Sequence, residues 1–250
     1  MVLLFVAGAV GGLVLVHRLV PIERRLEHND VAGFIYAVLG VAYTVLLGLM
    51  VVAVWQDWQA AQDSATQEAN DLAAVFWLAH GLPEPDGRHI QELARDYARV
   101  EVRVEWPLMR GGKSSPKPYD LLDGMKASLE AIHPTNEAQA ALYNNELERL
   151  QELGGARRAR LLEADQGLPA ILWAVLLVGG VITVSFTYLF GLRSTTVHVL
   201  MVAALAFVIG LVLFTVAALD YPFRGDVRIG PEAFKQVLGR FESTKLSNLR

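Results

Sequence analysis

Four stretches of the chain, 2–16, 31–55, 168–192 and 199–219, are almost wholly apolar and contain no Asp, Glu, Lys, Arg or His. A helix needs about 20 apolar residues to cross a hydrocarbon core about 30 Å thick, so the last three predict membrane-spanning helices on length alone. The first is short. It reaches spanning length through Leu19 and Val20 if His17 and Arg18 snorkel toward the headgroups. A secretory signal peptide is the alternative for 2–16, but no Lys or Arg precedes the run, and the small residues Ala7-Gly8-Ala9 lie inside it. The segment is read as a retained helix.

Between the two apolar pairs the pattern changes. In 56–166 polar residues alternate with apolar ones at helical spacing. Ala61, Ala65, Ala69, Leu72, Phe76 and Ala79 recur every three or four residues, so the second span is expected to continue beyond the bilayer as an amphipathic extension. The run Gly81 to Gly87, with Pro83 and Pro85, ends it. A second helix carries Ile90, Leu93, Ala94, Tyr97, Val100 and Val104 and is expected to stop at Trp106-Pro107. After a loop over 110–118 comes a short helix through Leu121, Leu122, Met125 and Leu129. A longer one follows, capped by Thr135 or Asn136 and bearing Leu142, Tyr143, Leu147, Leu150 and Leu153. Asp220 to Gly225 is a turn, 231–238 a short amphipathic helix starting on Pro231, and 243–250 a frayed end.

The predicted architecture is an all-α integral membrane protein. Two transmembrane hairpins, 1–55 and 167–220, flank a helical extramembrane domain, 56–166, and a C-terminal tail, 221–250, completes the chain. Composition agrees: of 250 residues 53% are hydrophobic and 19% charged, and the mean hydropathy is +0.34. With no cysteine there is no disulfide, thiolate nucleophile or sulfur-bound zinc. A net charge of -4 argues against a nucleic-acid partner. Lys and Arg near the helix ends leave the orientation open: Arg18, Arg24, Arg25 and Arg193 oppose Arg157, Arg158, Arg160, Arg224, Arg228 and Lys235.

No enzymatic template is met. The chain has no phosphate-binding glycine loop, GxSxG elbow or HExxH, and its six histidines are scattered without a second ligand at helical spacing. No catalytic residue, metal or cofactor is assigned. Acidic residues beside Arg and Lys, as in Glu146, Glu148 and Arg149, read as a solvated face of ion pairs. The spans lack the buried charge that marks an ion-coupled transporter.

What the second span does carry is a stripe of small residues. Gly33, Ala37, Gly40, Thr44 and Gly48 share one face, with Tyr36 and Tyr43 beside them. Close helix packing in lipid explains such a stripe, and so does the lining of a pore in an oligomer. Gly180, Thr183 and Thr187 make a similar line on the third span, where hydroxyls bonded to their own helix are the default.

Short motifs add a resemblance. His28-Asn29-Asp30 leads into the second span, and Glu105-Trp106-Pro107 lies in the polar segment. Leu168-Pro169 with Trp173 and Gly179 opens the third span, and Asp220-Tyr221-Pro222-Phe223 with Gly225 follows the fourth. Together they resemble the prokaryotic bestrophin-like family, long known as a domain of unknown function and distantly similar to the bestrophin anion channels. The resemblance implies a bacterial, multi-pass plasma-membrane homo-oligomer that passes small inorganic anions such as chloride. Its pore would be lined by the second span, with the polar domain and both termini in the cytoplasm. The expectation from a different class is a membrane anchor whose helical domain binds a partner.

Overall fold

The computed structural model describes residues 1–26 and 29–247, and their side chains except those of residue 24 and residues 244–247. Among the described residues there is no strand. The helices are α1 (Val2–Leu19), α2 (Ile22–Leu26), α3 (Asn29–Leu78), α4 (Asp86–Val100), α5 (Trp106–Met109), α6 (Lys117–Glu130), α7 (Glu137–Asp165), α8 (Ala170–Phe186), α9 (Thr195–Leu219) and α10 (Glu232–Ser247). The chain forms two compact units.

The first unit comprises Met1–Gln56 and Gly167–Asp220. Among the described residues four helices are long and apolar enough to cross a membrane, and this unit holds their apolar windows. Its core is built from Ala9 and Leu13 of α1, Leu47 and Val54 of α3, Leu176 and Val184 of α8, and Val202, Ala206 and Leu213 of α9. Small residues set the approach of the helices. A Cβ on Gly12 would lie 2.9 Å from the Tyr188 hydroxyl, which donates to the carbonyl of Ala9 at 2.8 Å, and one on Gly210 would lie 3.3 Å from Val2.

Two side chains tie the ends of this unit. Asn29 donates to the Gly191 carbonyl at 3.0 Å and accepts the Gly191 N–H at 2.9 Å, so its amide is engaged with the α8–α9 connection. At the opposite end of that hairpin, Asp220 accepts the Leu168 N–H at 2.6 Å and the Trp173 indole N–H at 3.1 Å. The outer surface is apolar: Leu3, Leu4, Val31, Phe34, Ile171, Leu200 and Met201 are all exposed. Such a surface has to be covered by lipid or another chain.

The second unit comprises Asp57–Gln166 and Tyr221–Arg250, so the tail is part of it. The stripe read along α3 forms one wall of its core: Ala61, Ala65, Ala69, Leu72 and Phe76 meet Ile90, Ala94 and Tyr97 of α4, Met125 and Leu129 of α6, Leu150 and Leu153 of α7, and Phe234 and Phe241 of α10. Phe76 and Phe241 stack with ring centroids 3.9 Å apart. Asn136 caps α7 by accepting the Gln139 N–H at 2.9 Å, while Gln139 holds the Thr135 N–H and hydroxyl in return.

Three expectations change. The helix of α4 does not stop at Trp106-Pro107. A π turn over Glu101–Glu105, closed by the Trp106 N–H on the Glu101 carbonyl, leads into α5 with Pro107 in its first turn. The C-terminal helix is also longer than the periodicity suggests, because α10 continues to Ser247; residues 248–250 lie outside the described residues, as does His28 of the motif before α3. Finally, Arg157 and Arg160 are fully buried.

Candidate functional site

The small-residue stripe of α3 separates into two environments. Tyr43 is buried; its hydroxyl donates to the Leu176 carbonyl at 2.7 Å. Its ring occupies the space left by Gly179, where a Cβ would come within 2.7 Å of it, and by Gly180, where a Cβ would lie 2.8 Å from the hydroxyl. Tyr36 is half-buried, stacked on Phe186 at 6.0 Å and edge-on to Phe190 at 5.7 Å. Gly33 is half-buried near Phe190. These three sit against α8 and the segment following it.

Ala37, Thr44 and Gly48 are exposed, and a Cβ added to Gly40 or Gly48 would meet nothing within 4 Å. Their smallness accommodates nothing within their own chain. Beside them Val38, Val41, Val45, Leu49 and Val52 form an exposed apolar row at steps of three and four. On α8 the hydroxyls are bound within the helix, Thr183 to the Gly179 carbonyl at 2.8 Å and Thr187 to that of Val184.

The second unit contains what the sequence concealed, a buried ionic cluster. Arg157 and Arg160 of α7 lie among Glu68 of α3 and Glu101 and Glu105 of the π turn, all with side chains 0% exposed. Arg160 takes Glu68 with two nitrogens and Glu101 at 2.9 Å; Arg157 takes Glu101 and, at 2.9 Å, Glu105. Tyr97 donates to Glu68, and Glu105 also accepts the Ser115 N–H at 2.7 Å. Each guanidinium faces a ring: Arg157 that of Tyr119 at 4.7 Å, Arg160 that of Trp106 at 4.6 Å. The widened turn presents Glu101 and Glu105 to the same arginine.

Three carboxyl groups meet two guanidiniums here. Burial pushes the Glu101 carboxyl up against the pull of Arg160, with Glu68 adding to the push. The Tyr97 hydroxyl is pushed up by burial and by the same carboxylates. Every arginine nitrogen that bonds is directed at a carboxylate, a carbonyl or a sulfur of the protein, which makes this a cross-brace between α3, α4, α5 and α7. Hydropathy gives no warning, because a buried Arg and a solvated Arg are the same letter. The only sequence signal was Glu105-Trp106-Pro107, and its members bind Arg157, cover Arg160 and open α5. Trp106 also donates to the Ile229 carbonyl at 3.1 Å.

Glu146, expected on a solvated face, stands apart. It is buried with neither carboxylate oxygen bonded, and burial pushes its carboxyl up to about 8. Among the described residues no cluster of three or more His, Asp or Glu is placed to hold a metal ion.

No curated protein matches the chain by sequence. Among solved structures the fold is similar to a bacterial bestrophin homologue from Klebsiella pneumoniae carrying an isoleucine-to-threonine change, with a TM-score of 0.71 at 12% identity over 96% of this chain and 98% of that one. A tyrosine-to-alanine variant of the same homologue gives 0.71 at 11% over 96% and 97%, and a membrane protein with a proline-to-alanine change gives 0.68 at 14% over 96% of each chain. Residues 3–234 match the Bestrophin-like domain, which contains every described helix from α3 to α9 and both environments of the α3 stripe; the chain belongs to the bestrophin-like family of helical membrane proteins.

Proposed function

We propose that this protein is a homo-oligomeric channel of the bacterial plasma membrane that passes small anions, chloride among them, between α3 helices gathered around a common axis. The observation that carries this reading is the outward face of α3. Ala37, Thr44 and Gly48 are open to the outside of their own chain, next to the exposed row Val41, Val45, Leu49 and Val52, with no charge along it. Copies of that face around an axis make a narrow apolar passage, which gates by wetting and dewetting rather than by a charged filter. The family membership supports a channel over an enzyme. We place the second unit and both termini in the cytoplasm, a reading that rests on the resemblance to bestrophins alone.

The test is chloride flux into liposomes holding the purified protein, together with its stoichiometry in lipid. The expected result is a closed oligomer and flux above empty vesicles, with Leu49→Ala raising the rate. A monomer with no flux rejects the channel. A stoichiometric protein bound to the second unit, around an axis filled by side chains or lipid, would establish the anchor instead.

A further inference from the structure

The first unit contains a polar cluster on α1, α2 and α9. The rings of His17 and His198, far apart in sequence, lie with centroids 5.2 Å apart and planes at 70°. Each has one nitrogen on a backbone carbonyl: His17 Nδ1 on Leu13 at 3.0 Å, His198 Nε2 on Thr187 at 3.0 Å. A carbonyl only accepts, so those nitrogens carry the hydrogens, and in neutral rings His17 Nε2 and His198 Nδ1 are bare lone pairs. Both atoms are buried and unpartnered, and His198 is 2% exposed.

Arg25 completes the group. It is 5% exposed and reaches the next carbonyl along, that of Tyr188, at 3.5 Å; its Nε is buried and unpartnered, and it forms no ion pair among the described residues. Among the described residues, the other titratable groups nearby leave the cluster open. The Tyr188 hydroxyl is engaged with Ala9, Tyr36 shares a cavity of about 310 Å³ with His198, and Arg18, Glu23 and Asp30 are exposed.

A native interior rarely leaves buried nitrogens orphaned, and three on neighbouring side chains are met together by one bound species. We propose that His17, His198 and Arg25 form a site for a small anion of the halide class, which fills as the two rings each take a proton from solvent. Protonation turns both lone pairs into donors, and with the Arg25 Nε–H they supply three charge-assisted hydrogen bonds from three elements. A transition-metal cation also suits two lone pairs whose opposite nitrogens are held by carbonyls. The unpaired guanidinium, with no carboxylate bonded to the cluster among the described residues, favours the anion. The site does not use the exposed face of α3, and its occupation does not depend on conduction.

The test is thermal unfolding of the full chain in detergent, in sodium bromide and in sodium gluconate at equal ionic strength, at about pH 5.5 and about pH 8. Bromide is expected to raise the midpoint by about 2–4 °C at the lower pH and not at the higher. The shift should disappear in His198→Gln and in His17→Ala, the second of which changes only a half-buried side chain near the end of α1. Calorimetry in two buffers of different ionisation enthalpy should show proton uptake with bromide. A bromide shift that is absent at both pH values, equal at both, or retained in both variants overturns the proposal. So does a histidine-dependent shift with micromolar zinc and none with bromide. Loss of vesicle flux with bromide binding intact would reject the channel and leave this site standing.

Discussion

At the scale of single residues, Glu146 and Arg157 illustrate opposite ways of burying charge. Glu146 has no partner, and its carboxyl is raised to about 8 from an unfolded value of about 4.5. Between those values the folded chain keeps a proton that the unfolded chain releases, so folding stability falls as pH rises through the window, by up to about 1.4 kcal/mol per pH unit. Glu146→Leu removes that loss: the variant is expected to gain most over the parent near pH 8 and least near pH 5, read as unfolding midpoints in detergent. Equal gains at both pH values would mean that Glu146 keeps its charge when folded. Arg157 behaves differently because its charge is met. Arg157→Met leaves Glu105 buried without its cation and Glu101 with Arg160 alone, and should cost about 3–5 kcal/mol, measured by denaturant or thermal unfolding. Arg157→Lys should recover little, since an ammonium cannot reproduce two separate guanidinium contacts.

For the helices as elements, glycine is the informative residue. Gly179 of α8 makes room for the Tyr43 ring, and Gly179→Ala should destabilise the first unit by about 1–3 kcal/mol because the Cβ would sit 2.7 Å from that ring. Gly48→Ala meets nothing in its own chain and should leave unfolding unchanged or improve it by about 0.5–1 kcal/mol, while altering chloride flux if the face lines a pore. Paired measurement of stability and flux on the two variants separates packing from lining. Periodicity made the helices legible: the α3 stripe from Ala61 to Phe76 and the α7 stripe from Leu147 to Leu153 both face the core as read. It missed the π turn, because a residue inserted into a turn leaves no mark on hydropathy. It also could not tell the inward Tyr43 from the outward Thr44, next to it in sequence, since both suit either side of a membrane helix.

At the scale of the whole molecule, the absence of charge from the spans was visible from composition resolved along the chain, and the ion cluster was not. Glu68, Glu101 and Arg157 sit on elements far apart in sequence, and only the fold brings them to one place. The same is true of His17 and His198, scattered in the sequence and adjacent in the structure. An apolar exterior around the first unit also predicts behaviour in solution. The intact chain should require detergent or lipid to stay dispersed, and sedimentation after detergent removal, with and without added lipid, measures this directly.

The packing of α1 against α9 also bears on how the protein is made. Tyr188, Gly210 and His198, the groups that receive α1, are synthesised long after it. At ordinary translation rates of about 5–20 residues per second, α1 waits in the membrane for on the order of 10–40 s before its mate emerges. Throughout that interval its small-residue face is open to any other helix in the bilayer.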